Sequence, residues 1–197
     1  MIQYDKINNQ ILSSSCLTCK DECFQPPNKE VPKVGCCSYS PTFYLLEISN
    51  MIHKDETFFL EAILSNPKSQ ISPFHITVPA NIHPSYSKTD SDLDLSPLEE
   101  DDLRHSHSIC QFFKNNQGCT LHPSFKNSVC RSFVCLSIED HLNEREKQPL
   151  QAFTHYIKKE ESNFQRIHEQ QLRNLNADLQ TSPVAVINYF KSLKKTQ

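Results

Sequence analysis

Residues 110–135 read CQFFKNNQGCTLHPSFKNSVCRSFVC. This stretch holds Cys110, Cys119, Cys130 and Cys135, and residues 16–37 supply the other five cysteines: Cys16, Cys19, Cys23, Cys36 and Cys37. None of the nine lies in residues 38–109 or 136–197, where most of the apolar helical patterns are. Cysteines serving as small buried hydrophobes would follow those patterns; clustering into two groups points instead to a shared inorganic ligand. Cys16-Leu-Thr-Cys19 is the spacing at which a tight turn brings two thiolates onto one cation, in structural zinc sites and in iron–sulfur ligation alike. The chain's two glycines, Gly35 and Gly118, each precede a cysteine. Close packing of backbone around a site would demand glycine there.

Composition sets the bounds. Nine cysteines in 197 residues is about 4.6%, short of the roughly 8–10% of a disulfide-stapled secreted scaffold, and an odd number defeats complete internal pairing. The opening MIQYDKINNQILSSS lacks the apolar core of a secretory signal, so the expected location is cytoplasmic, where clustered thiols serve metal binding or catalysis. A formal charge of −3 from 20 basic and 23 acidic residues argues against a nucleic-acid partner. No run approaches the roughly 18 apolar residues of a membrane span. Two glycines are too few for a phosphate-cradling loop, which excludes kinase, P-loop and dinucleotide-binding readings.

Around the cysteines the chain reads as mainly α. Leu45, Ile48 and Ile52 fall at helical spacing, and Asp55 is a fitting N-cap for a second helix through ETFFLEAILSN. Residues 66–108 carry Pro67, Pro73, Pro79 and Pro84, then seven acids and no base between Asp90 and Asp102, the composition of a surface insertion. Within it Ser96-Pro97-Leu98-Glu99 starts a short acidic helix, with an N-cap, a proline at N1 and a glutamate at N3. Pro149 opens a long helix along Leu150, Phe153, Ile157, Phe164, Ile167, Leu172, Leu175 and Leu179, with Glu160 and Glu161 elsewhere on its surface. Ser182-Pro183 starts a last helix burying Val184, Ile187, Phe190 and Leu193. The expected architecture is a small irregular cysteine-cluster metal-binding domain over residues 1–147, with surrounding helices and an acidic, Pro-rich insertion at about 66–108. A C-terminal helical extension, 148–197, packs on it.

Three groups of residues carry a family likeness. Cys16-Leu-Thr-Cys19-Lys-Asp-Glu-Cys23, then Gly35-Cys36-Cys37 with Glu47 on the following helix, then Cys110-Gln111-Phe112-Phe113, Gly118-Cys119 and Cys130-Arg131-Ser132-Phe133 together resemble the YkgJ-type cysteine-cluster family. The likeness covers residues 16–52 and 109–135. It implies a zinc- or iron-chelating domain. The chain departs from the pattern with Lys126-Asn127 where the family has Arg-Pro, and with twelve residues between Cys23 and Cys36. The cysteine pattern is also distantly similar to that of the flagellin lysine-N-methylases, which are much longer.

All nine cysteines are therefore candidate metal ligands, for Zn2+ or for iron, up to a [4Fe-4S] cluster; which of them share an ion stays open. His122, three residues after Cys119, is either a further ligand or a half-exposed turn residue. His105 and His107 read as solvated linker residues, and His141, His155 and His168 as surface. Arg131 either offsets thiolate charge, pairs with Glu47, or is an ordinary surface residue. The functional reading is a cytosolic metal-binding cysteine-cluster protein whose metal is structural, with the metal ion and a further protein as partners. Alternatives are an iron–sulfur redox enzyme, a modifier of protein lysines like the methylases, and a helical module dimerising through residues 149–195.

Overall fold

The computed structural model describes residues 2–13, 21, 24–89 and 95–193. In chain order these form β1 (Ile2–Asp5), β2 (Gln10–Ser13), a 3-10 turn (Gly35–Ser38), β3 (Thr42–Tyr44), α1 (Leu45–Lys54) and α2 (Glu56–Phe58), which runs into a π-helical stretch (Phe59–Leu64). There follow β4 (Gln70–Ser72), β5 (His75–Thr77), β6 (Asn81–Ile82), α3 (Tyr86–Thr89), α4 (Pro97–Ser106), β7 (Ser108–Ile109), β8 (Phe113–Lys114) and β9 (Gly118–Cys119). A 3-10 turn (Pro123–Phe125), α5 (Ser128–Ser132), α6 (Leu136–Glu139), α7 (Glu144–Asn174) and α8 (Pro183–Ser192) complete the order. About half of the chain is helical and the sheets are small, so the mainly α expectation holds. Among the described residues no helix is long and apolar enough to cross a membrane.

The chain divides into two compact units, one of Ser14–Pro41 and Pro79–Leu121, the other of Ile2–Ser13, Thr42–Val78 and His122–Gln197. The second, helical unit has a conventional core. Leu45, Ile48, Met51 and Ile52 put the apolar stripe of α1 inside, between α7 and α8. Phe59, Ile63, Leu172, Leu179, Val186 and Phe190 are also buried. β3, β5 and β4 form an antiparallel sheet in that order, in which Phe43 pairs with Ile76 and both are fully buried. A smaller cluster sets Ile11 of β2 against Leu150 and Ile157 of α7. The β1–β2 turn is tied by Asp5, whose carboxylate accepts from the Ile7 and Asn8 N–H groups and from the Asn8 and Gln10 side chains. These bonds hold its pKa down to about 2.

Several expectations change here. The long helix opens at Glu144, not at Pro149. Asn143 caps it and Glu146 closes a capping box, which leaves Pro149 inside the helix at the cost of one backbone hydrogen bond. It ends at Asn174, ahead of Asn176 at φ 50°. Ile167, Leu175 and Val184 are exposed, whereas Glu161 is buried. Residues 70–77 of the expected surface insertion are instead β4 and β5, with Phe74 and Ile76 in the core. Alternation placed Ile76 inward, and proline content masked it. The acidic helix α4 does start at the Ser96–Glu99 capping box, and none of its residues is buried.

The other, cysteine-bearing unit is built from turns and two-residue ladders. β6 pairs with β7, and β8 with β9 across a short hairpin. Its buried apolar groups are few, among them Val31, Cys110, Phe112 and Leu121, and they sit beside buried polar His107, Ser85 and Ser108.

Candidate metal centre

Among the described residues, four candidate ligands belong to the cysteine-bearing unit: Cys36, Cys37, Cys110 and Cys119. Cys36 and Cys37 lie on the 3-10 turn Gly35–Ser38, closed by the Cys37 N–H donating to the Val34 carbonyl at 3.1 Å. The Cys110 N–H donates to the Cys37 carbonyl at 2.7 Å, so the second cysteine stretch is bonded directly to the first. The chain then reverses through β8 and β9. Phe113 stands opposite Cys119, and the Thr120 N–H and hydroxyl both donate to the Phe112 carbonyl. This hairpin returns Cys119 to the neighbourhood of Cys110.

Both glycines serve this geometry, though not as expected. Gly35 has φ +57° and Gly118 φ +75°, and no atom stands within 4 Å of where a Cβ would lie. The requirement is left-handed backbone, which L side chains resist, and not close packing.

The thiols also act on one another electrostatically. The Cys37 thiol is pushed far up by its contact with the Cys36 thiol, by burial, and by repulsion from thiolates at Cys36, Cys119 and Cys110. Cys110 is pushed up mainly by burial, with Cys119 and Cys36 adding to it. Cys37 and Cys110 face inward while Cys36 and Cys119 are exposed. Among the described residues, no three His, Cys, Asp or Glu side chains stand in an arrangement ready to hold a metal ion. A divalent cation would reverse the upward push on Cys37 and Cys110, since a coordinating thiol is deprotonated outright.

The remaining candidates fall elsewhere. Cys130 and Cys135 belong to the helical unit. Cys130 is exposed on α5, its N–H donating to the Asn127 side chain. Cys135 is buried, its sulfur 3.1 Å from the Ser137 hydroxyl. Cys16, Cys19 and Cys23 lie outside the described residues. His122 is exposed and caps the Pro123–Phe125 turn through Nδ1, which accepts from the Ser124 N–H. Arg131 reaches Glu160 at 3.1 Å and Glu47 at 3.6 Å. His107, read from sequence as solvated, is fully buried in the cysteine-bearing unit. Its Nδ1 meets the Leu103 carbonyl at 2.9 Å, and its Nε2 has no partner. Nothing in its acidic neighbourhood signals that burial, which comes from the turn onto β7 and the Tyr86 ring. No protein-family model, curated protein or solved structure matches the chain.

Proposed function

We propose that this chain is a cysteine-cluster metal-binding protein in which Cys36, Cys37, Cys110 and Cys119 hold a zinc or iron ion that braces the cysteine-bearing unit. One observation carries the reading: the Cys110 N–H is bonded to the Cys37 carbonyl, which ties the two distant cysteine stretches together, and charge at Cys36, Cys110 and Cys119 adds to the upward push on the Cys37 thiol. The thinness of the apolar core around them supports a structural role. So does the residue pattern shared with the YkgJ-type family. Four thiolates suit zinc and iron alike, and with a divalent ion they carry a local charge of −2. The reading belongs to a reducing compartment such as the cytosol, where thiols stay available.

Anaerobic purification followed by elemental analysis and a visible spectrum tests it. The expected result is a bound transition metal, colourless for zinc and brown for an iron–sulfur centre. Cys37→Ser and Cys110→Ser should each lower cobalt affinity by 10-fold or more, a loss on the scale that even outer-shell changes produce. Cys135→Ser should leave it unchanged. A native, folded chain free of transition metal overturns the proposal.

A further inference from the structure

The helical unit buries an ionic cluster that the metal reading does not use. Glu47 on α1 is fully buried, and Arg131 on α5 and Glu161 on α7 are nearly so. Glu160 completes the group at the edge, with about a third of its side chain exposed. With every group ionised, the group holds three carboxylates and one guanidinium, which reaches Glu47 and Glu160. The hydrogen bonds say how the charges are divided. Glu161 takes the anionic role, one oxygen accepting from the Ser128 N–H at 2.6 Å and the other from the Ser128 hydroxyl at 2.7 Å. Arg131 sides with Glu160, to which its Nη1 donates at 3.1 Å, and that carboxylate also accepts from the Asn9 amide. Glu47 is served on one side alone, where Oε2 accepts from the Tyr44 N–H at 3.1 Å. Among the described residues its Oε1 accepts no hydrogen bond, and Arg131 Nη2, which also makes none, stands 3.6 Å away as a long ion pair.

An ionised carboxylate deep in a protein and facing a second one would close on the nearest guanidinium. Glu47 does not. We propose that Glu47 and Glu161 bind one proton between them, carried on Glu47 Oε1 and donated to the Glu161 carboxylate. The proton gives Oε1 a role and lowers the cluster's charge from −2 to −1. Burial, and then the facing Glu161, push Glu47 well above the ordinary carboxyl range, with Arg131 opposing. Of the other titratable groups on α1 and the elements packed against it, Lys191 of α8 pairs with Glu56 of α2, Lys54 donates to Ser124 of the Pro123–Phe125 turn, His168 of α7 meets the Tyr189 hydroxyl of α8, and His53 meets the Ser49 carbonyl through Nδ1. The site lies outside the cysteine-bearing unit, and the proposal stands whether or not metal binds there.

The sign of the pH effect follows. The unfolded chain releases this proton near the ordinary glutamate value of about 4.3, while the folded pair keeps it. Stability from this site is therefore complete below that value and is lost as pH rises, until the folded pair itself ionises. At most one proton is linked to unfolding, so the unfolding constant rises by up to tenfold per pH unit across that window. Glu47→Gln mimics the protonated state: its carbonyl can accept from the Tyr44 N–H and its amide can donate to Glu161.

The test is denaturant unfolding of the full chain from weakly acidic to weakly alkaline pH, for the wild type and for Glu47→Gln, with infrared spectra of both at neutral pH. The expected result is a one-proton slope in the wild type that Glu47→Gln removes, together with a protonated-carboxyl stretch present only in the wild type. Equal slopes with no such stretch overturn the proposal. A slope that disappears when the protein is stripped of cations also overturns it, because a metal ion then neutralises the pair. Should Glu47→Gln not fold, the wild-type infrared band alone decides, its presence supporting the shared proton and its absence refuting it.

Discussion

The two units solve the problem of compactness in different ways. The helical unit buries aromatic and branched aliphatic side chains from α1, α7, α8 and the β3–β5–β4 sheet, and its buried charged residues, Glu47, Arg131 and Glu161, belong to one group. The cysteine-bearing unit has two-residue ladders, an acidic helix with no buried residue, and a handful of inward apolar groups. Burial is worth roughly 25 cal/mol per Å² of apolar surface, so a unit this poor in apolar side chains gains little from the hydrophobic effect. Under the function proposed above, a bound metal ion supplies the cohesion that apolar side chains supply in the helical unit.

The largest effect expected from that contrast comes from removing metal. Structural zinc contributes an apparent 10–16 kcal/mol or so at neutral pH, comparable with the roughly 5–15 kcal/mol that stabilises a whole domain. Chelation of the full chain should abolish amide-exchange protection in β6 to β9 and the Gly35–Ser38 turn. The buried helices α1, α7 and α8 should keep theirs. Simultaneous loss of protection throughout would mean that both units depend on one brace, and the distinction drawn above would fail.

The reverse experiment strikes the helical core. Phe190 is fully buried and its ring packs on Phe164, His168 and Tyr189 at centroid distances of 6.2, 5.8 and 5.1 Å. Phe190→Ala should destabilise the helical unit by about 3–5 kcal/mol, the range for truncating a buried aromatic, read as a lowered denaturant midpoint. Metal content per folded chain should not change. A parallel fall in metal content would show that the centre draws on the helical core.

Local signals in the sequence translated well and tertiary ones did not. Asp55 and the Ser96–Glu99 box cap helices as read, because capping depends on residues three positions apart. Asn143 and Glu146 carry the same spacing, and their capping box, not Pro149, sets the start of α7. Clustering marks all nine cysteines as candidates and leaves open which share an ion, and nothing in their intervals tells that Cys130 and Cys135 belong with the helical unit. Glu161 is the instructive miss. It lies four residues after Ile157 and three before Phe164, squarely on the apolar stripe of α7, and a charged residue on such a stripe is itself a signal of a buried partner. That Ser128 of α5 would supply both of its hydrogen bonds depends on how the helices pack, which no local pattern encodes.

The smallest effect sharpens the comparison from inside the cysteine-bearing unit. Gly118 sits at φ +75° with open space around its missing Cβ. Gly118→Ala therefore meets no clash and incurs only the left-handed backbone penalty, about 1–2 kcal/mol for an L side chain. In the helical unit a change of that size would shift a midpoint and nothing else. Here the strain falls on the hairpin that returns Cys119 toward Cys110, so part of it should appear as weaker cobalt binding, up to about 10-fold for 1.4 kcal/mol. Gly118→Asn should recover part of the loss, since asparagine tolerates this conformation better than alanine and Asn116, two residues earlier, already adopts it at φ 63°. Equal binding by all three proteins would mean that Cys119 reaches the ion without help from the hairpin.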